Sequence, residues 1–238
     1  DIKAGKAIQF KLLPKNHRII DGYRFSHYIE PSLYLSGDFL DYYKINGRFL
    51  GFYFIDVAGH GASSAFVTIF VKSYISNFIS KYKKDGDETI LNPADVVTEL
   101  NTRLLETKLG KHLTIFTGVI DKEKSKLIFC NGGQFPFPVL LTENSTRYLD
   151  KKGFPVGLMP TAKFENNVVD LPEKYKLHFF SDGFLEIVPK KGLDEQQKYI
   201  LEILNDFSLT YDGLMEKINY IKSEELPDDV TVMVIAKG

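Results

Sequence analysis

The segment DFLDYYKINGRFLGFYFID, residues 38–56, holds two strand-like runs rich in aromatic and branched residues, with Asn46-Gly47 between them. Asn-Gly is the preferred pair for a two-residue type I′ hairpin turn, because both central residues of that turn need positive φ. With such a turn Ile45 faces Arg48, so Asp38 is expected opposite Ile55 and immediately beside Asp56. Two carboxylates eighteen residues apart would then meet at the open end of one hairpin.

Beyond His60-Gly61 the pattern changes. Apolar residues at 62, 65, 66, 69 and 70, then 75, 78, 79 and 82, mark one face of a long helix ending near Lys84-Asp85-Gly86. Asn92-Pro93 opens a second helix, as a cap followed by proline at the first helical position, and Val96, Val97, Leu100 and Leu104 form its buried face. Gly110 stops it. From Leu113 the runs LTIFTGVI, KLIFC, PVLL and TRYL are separated by short polar turns and predict an antiparallel meander. A further buried strand precedes Ser181-Asp182-Gly183. Helical stretches are expected at about 194–206 and 211–223, and the strand VTVMVIA follows Asp228-Asp229. Many antiparallel strands with paired helices predict an α/β (α+β) protein with sheet packed on sheet and helices outside.

Composition bounds the function. Thirty basic and 31 acidic side chains nearly cancel, so no basic field points to nucleic acid or an anionic membrane. A single cysteine excludes an intramolecular disulfide and a cysteine-based zinc cage, which fits a reducing, cytoplasmic setting. Cys130 is expected in the core: Pro136 stands where a cysteine phosphatase places its phosphate-binding arginine, six residues on. No apolar run reaches the ~20 residues that span a bilayer. The chain is expected to be one domain over 1–238, the C-terminal part of a longer protein whose other segments can carry sensors or a membrane anchor.

Asp56 ends one strand-like run, Asp182 another, and Asp228 and Asp229 begin a third. Taken singly, each aspartate has an ordinary explanation as a turn residue. Together, carboxylates at the ends of neighbouring strands can converge on one sheet edge, where they repel unless neutralised by hard cations such as Mg²⁺ or Mn²⁺. The glycines of Asp56-Val57-Ala58-Gly59-His60-Gly61 and Ser181-Asp182-Gly183 permit close backbone approach to an ion or phosphate.

These motifs resemble a known family. S-G-D-F-L-D at 36–41, D-V-A-G-H-G at 56–61, S-D-G-F-L-E at 181–186 and D-D-V-T at 228–231 are similar, in order, to those of protein phosphatase 2C-like (PPM) enzymes. The D-x-x-G-H-G form, with I-Q-F-K-L-L-P at 8–14 and G-F-P-V-G-L at 153–158, is most similar to the bacterial SpoIIE and sigma-factor-regulator (RsbU-like) branch. The resemblance implies an αββα sandwich of two mainly antiparallel sheets flanked by helices, with two Mn²⁺ or Mg²⁺ ions at one edge. It implies that Asp56 bridges the metals and the carbonyl of Val57 adds an oxygen. Asp182 and Asp228 complete one metal, with Asp229 as second choice, and Asp38 acts on the other directly or through water. Asp56, Asp182 and His60 are the implied catalytic residues, with His60 as general acid or, equally, a helix-start histidine holding backbone groups.

The implied reaction is hydrolysis of phosphoserine or phosphothreonine by a metal-activated water, with no phosphoenzyme. Partners implied by the branch are a phosphorylated protein, such as a STAS-domain anti-sigma-factor antagonist, an upstream sensor or regulatory domain, and a second copy in a homodimer. Asn131-Gly132-Gly133-Gln134 departs from the family's usual N-A-G-H, replacing a histidine by Gln134 and putting a loop contact in doubt. His17, His27, His112 and His178 have no metal-ligand spacing and read as surface or packing residues. Two other readings compete. A pseudophosphatase acting as a binding module is weakened by the intact aspartates, and a nucleotide or nucleic-acid hydrolase by the neutral charge and missing P-loop.

Overall fold

The computed structural model describes residues 2–59, 61–221 and 226–238. In chain order the first half comprises α1 (Ile2–Leu12), β1 (Arg18–Ile20), β2 (Tyr23–Glu30), β3 (Asp38–Lys44), β4 (Phe49–Val57), α2 (Ala62–Asp85), a 3₁₀ turn (Glu88–Leu91), α3 (Pro93–Glu106) and β5 (Leu113–Asp121). There follow β6 (Lys126–Gly132), β7 (Val139–Thr142), β8 (Thr146–Tyr148), β9 (Asn167–Asp170), β10 (Tyr175–Phe180), α4 (Gly183–Ile187), α5 (Leu193–Leu204), α6 (Tyr211–Ile221) and β11 (Val230–Lys237). The chain divides into two compact units: Asp1–Pro14, Leu33–Gln134 and Lys151–Leu171 form one, and Lys15–Ser32, Phe135–Asp150 and Pro172–Gly238 the other.

The first unit carries a five-stranded antiparallel sheet in the order β3-β4-β5-β6-β9. One face supplies Phe39, Tyr53, Ile55, Ile115 and Cys130 to a core completed by Val67, Val71, Ile75 and Phe78 of α2 and Val96, Val97, Leu100 and Leu104 of α3. Cys130 is fully buried there, and burial pushes its thiol up to about 12, so it is an inert core residue as expected. Helix α2 ends as the sequence predicts, with Gly86 at φ 72° and its N–H bonded to the Tyr82 carbonyl. Its start differs. Ser64, Val67 and Thr68 are buried while Phe66 is 68% exposed, because Thr68 Oγ1 donates to the Ala65 carbonyl and accepts from Gln9 Nε2. Hydroxyls satisfied in this way escape a count of apolar residues.

The hairpin forms, but its register is shifted by one. Asp38 pairs directly with Asp56, and Lys44 with Leu50. Asn46 Oδ1 accepts from the N–H groups of Arg48 and Phe49, both at 2.8 Å, and Ile45 N–H donates to the Phe49 carbonyl. That side-chain turn closes a longer loop, and neither Asn46 nor Gly47 takes the positive φ that type I′ needs.

At the same end of the sheet Arg48 forms a fork on Asp121, with Nε–Oδ1 at 2.8 Å and Nη2–Oδ2 at 2.6 Å. The Asp121 side chain is only 4% exposed. The Arg48 hydrogen bond, then backbone N–H bonds from Lys124 and Glu123, hold its carboxyl below the usual range against the opposing cost of burial. A depressed carboxyl contributes stability above its unfolded pKa and loses it as pH falls through the folded value. Arg48→Ala is therefore expected to lower Tm at pH 7, with the gap to wild type narrowing below pH 4. Parallel melts that stay equally separated down to pH 2 would remove the ion pair as the cause.

The second unit carries a six-stranded antiparallel sheet in the order β1-β2-β11-β10-β7-β8. Val139, Phe180, Val230 and Val232 pack with Phe184 and Ile187 of α4, Ile200 and Leu204 of α5, and Leu214 and Ile218 of α6. Two antiparallel sheets flanked by helices match the expected fold class. The predicted meander does not run on: β5 and β6 belong to one sheet, β7 and β8 to the other. Asp56 and the pair Asp182 and Asp228 accordingly do not lie on one sheet edge, as β4 is in the five-stranded sheet and β10 and β11 in the six-stranded one. Among the described residues no helix is long and apolar enough to cross a membrane.

Candidate active site

In the first unit the candidate residues cluster at the open end of the β3–β4 hairpin. Residues directly opposite in an antiparallel pair project from the same face about 4.5–5.5 Å apart at Cβ, so Asp38 and Asp56 present their carboxylates side by side. Asp38 is 3% exposed, and its N–H donates to Ser36 Oγ. Gly37 lets the chain pass close to the strand end: a Cβ there would stand 2.8 Å from the Val57 carbonyl oxygen and 3.1 Å from that of Gly59. The Val57 N–H donates to Gly37 O, fixing which way the Val57 peptide faces.

The loop that follows turns on Gly59 and Gly61, at φ 83° and 82°, a region that favours glycine. His60 lies outside the described residues. Lys111, which the sequence reading passed over, donates from Nζ to the Ala58 carbonyl at 3.1 Å and to Ser64 Oγ at 3.3 Å. Its ammonium thus ties the loop to the first turn of α2. Lys111, two residues before β5, carries no motif to signal this role.

In the second unit β10 and β11 are antiparallel neighbours, with Phe180 paired to Val232, so Asp182 and Asp228 flank adjacent strand ends. Burial first, and the Asp228 charge second, push the Asp182 carboxyl up from its ordinary value. Gly183 is needed here because a Cβ would come within 2.2 Å of the Asp229 carbonyl oxygen. Asp229 itself is buried, and its Oδ1 accepts from Ser32 N–H at 2.7 Å and Ser32 Oγ at 2.9 Å. Ser181 Oγ donates to the Asp229 carbonyl and accepts from Thr231 N–H, so this junction is stitched on both sides. Asp228 is exposed and its Oδ1 accepts from Asp229 N–H.

Among the described residues, no group of three or more His, Cys, Asp or Glu side chains is drawn together tightly enough to hold a metal ion. The carboxylates come as one pair in each unit. Gln134, at the departure from the N-A-G-H pattern, is buried, with its N–H on Asn131 Oδ1 and its Oε1 accepting from Thr114 Oγ1. It is a packed loop residue.

The family model for Stage II sporulation protein E (SpoIIE) matches residues 46–237. Protein IcfG of Synechocystis sp. is 23% identical over 263 aligned residues, covering 100% of this chain and 42% of that protein. The phosphoserine phosphatase RsbP of Bacillus subtilis is 24% identical over 171 residues, 70% of this chain and 40% of that protein. The chain thus spans about two-fifths of the length of these curated relatives. Among solved structures, the SiaA-PP2C domain of Pseudomonas aeruginosa superposes with a TM-score of 0.79 at 16% identity, covering 100% of this chain and 96% of that one.

Proposed function

Because this chain belongs to the Stage II sporulation protein E (SpoIIE) family, we propose that it is a metal-dependent protein phosphatase acting on phosphoserine or phosphothreonine. The observation that carries the reading is the direct pairing of Asp38 with Asp56, two like charges side by side on neighbouring strands at the head of the D-V-A-G-H-G loop. A second like-charged pair, Asp182 and Asp228, supports it. An all-oxygen donor set of this kind fits Mn²⁺ or Mg²⁺.

Asp38, Asp56 and the Val57 carbonyl are the proposed ligands from the first unit, and Asp182 and Asp228 those from the second. Asp228 is preferred to Asp229, whose Oδ1 already accepts two bonds from Ser32. When bound, a pair of divalent cations supplies positive charge for the phosphoryl oxygens and lowers the pKa of a water. Asp56 and Asp182 would each offer carboxylate oxygens to such a cation, and Lys111 ties the Ala58 carbonyl to Ser64 at the start of α2. His60 as proton donor rests on the sequence resemblance alone.

Residues 1–238 are taken as one phosphatase domain. The proposed substrate is a phosphorylated signalling protein of the STAS-domain anti-sigma-antagonist type, with regulation by an upstream sensor domain and a homodimer as further partners, in the cytoplasm. Hydrolysis of p-nitrophenyl phosphate, then of a phosphoserine protein, is expected with Mn²⁺ or Mg²⁺ and is expected to vanish in excess EDTA. Turnover that persists in EDTA would overturn the metal mechanism. Absence of turnover with either metal on both substrates would instead make the chain a binding module.

A further inference from the structure

On the helix-bearing face of the second unit's sheet, side chains two apart along a strand stand in rows across β2, β11 and β10. Tyr28, Val232 and Phe180 make an apolar row that packs in the helical core. The next row is Ser26, Val234 and His178, and the one after it Arg24, Ala236 and Lys176. The face thus turns from large and apolar to polar flanks around a small centre. Ala236 and Val234 leave open the space that large side chains would fill. The result is a cavity of about 380 Å³, walled further by His17 and by the start of α6 at Thr210, Tyr211 and Asp212. That size lies in the range of small-molecule sites, about 300–1,000 Å³.

Its chemistry favours an anion. Arg24 is exposed and has no carboxylate partner among the described residues. Lys176 Nζ donates to the carbonyls of Phe207 at 2.6 Å and Leu209 at 2.8 Å, which aim the ammonium without neutralising it. Burial pulls the Lys176 ammonium below its ordinary pKa, and the Asp206 charge opposes this through space, its Oδ1 being bonded to Ser208. The eleven-residue helix α6 begins at the cavity, with Gly213 N–H capped by Thr210 Oγ1 and the positive end of the helix dipole turned to it. Asp212 is the opposing carboxylate in the lining.

His178 is 3% exposed and lines the cavity. Its Nδ1 is closed off from solvent and has no hydrogen-bond partner among the described residues. Burial first and Lys176 second pull this imidazole down to about 3, so it is a neutral ring at physiological pH.

We propose that this cavity binds a small phosphate-bearing anion, held by Arg24, Lys176 and the amino end of α6, with the His178 ring against it. The site lies wholly within the second unit and does not rest on the phosphatase reading. The test is titration of inorganic phosphate, and separately glycerol 3-phosphate, into the 238-residue chain in EDTA, read by amide shifts of Tyr211, Asp212 and Gly213 and by the His178 ring signals. Saturable shifts are expected, weakened at least tenfold in Arg24→Gln, lost in the cavity-filling Ala236→Phe, and unchanged in Asp182→Asn. Tighter binding of glycerol 3-phosphate makes an organic ester the occupant, and tighter binding of the free ion makes it inorganic phosphate. Absence of saturable shifts, or shifts lost in Asp182→Asn and kept in Arg24→Gln, would overturn the proposal. Should Ala236→Phe fail to fold, the exposed Arg24→Gln carries the test alone.

Discussion

Asp182→Asn is expected to lower phosphatase turnover on the order of 10³-fold while leaving the metal-free protein as stable as wild type or more so. The first effect follows from the proposed role of Asp182 as a metal ligand, whose charge would be worth several kcal/mol to the transition state, at about 1.4 kcal/mol per tenfold in rate. The second follows from the raised carboxyl of Asp182, caused by burial and by Asp228. A carboxyl raised in the folded state destabilises it increasingly as pH rises from the unfolded pKa through the folded one. Asparagine removes that penalty, so any gain in Tm is expected at pH 7 and should fade toward pH 3. A metal-free variant that melts many degrees lower at pH 7 would make Asp182 a structural residue.

Gly183→Ala is expected to damage both stability and turnover, although it adds one methyl group. The new Cβ would meet the Asp229 carbonyl oxygen at 2.2 Å, its carbon at 3.1 Å and Asp228 Cβ at 3.2 Å. Two of these are backbone atoms, so the start of β11 must shift, at a cost of about 1–3 kcal/mol, and Asp228 shifts with it. Gly47→Ala is the matched control, because nothing lies within 4 Å of its Cβ position and its φ is not positive. Under the two-residue turn that the sequence favoured, Gly47→Ala would cost stability too. Equal Tm values for Gly183→Ala and wild type would refute the close approach.

The hairpin shows how far local sequence reaches. Two strands and a turn at Asn46-Gly47 were legible, but the register depended on what the Asn46 side chain bonds. In the expected register Asp38 and Asp56 would have projected from opposite faces, since neighbouring positions alternate. The observed register puts them on one face, through two side-chain bonds that no pairing rule supplies. The aspartates, the glycines after them and both long helices were legible because each carries a local signal. The division of strands between two sheets was not, because the six residues 133–138 that join β6 to β7, with Pro136 and Pro138 among them, read alike as a turn whether or not the sheet continues. β2 carries a weak signal because His27 interrupts the apolar phase of Tyr23, Phe25 and Ile29, though His27 is buried. The tie between Ser32 and Asp229 spans 197 residues and leaves no trace in either local sequence.

The pairing of β2 with β11 also sets an order of events during synthesis. Tyr23–Glu30 emerges well before its partner Val230–Lys237. The β3–β4 hairpin and the β5–β6 pair, by contrast, join neighbours in sequence and can close while the rest is still being made. Closing so long a loop adds little to the final free energy, as the entropy grows only with the logarithm of length, but it delays the step. Until β11 arrives, β2 and β10 each present an open edge, which is the state most exposed to mispairing with another chain. Supplying residues 227–238 in trans to a chain ending at 226 is therefore expected to restore the six-stranded sheet, as a missing central strand rather than a missing tail.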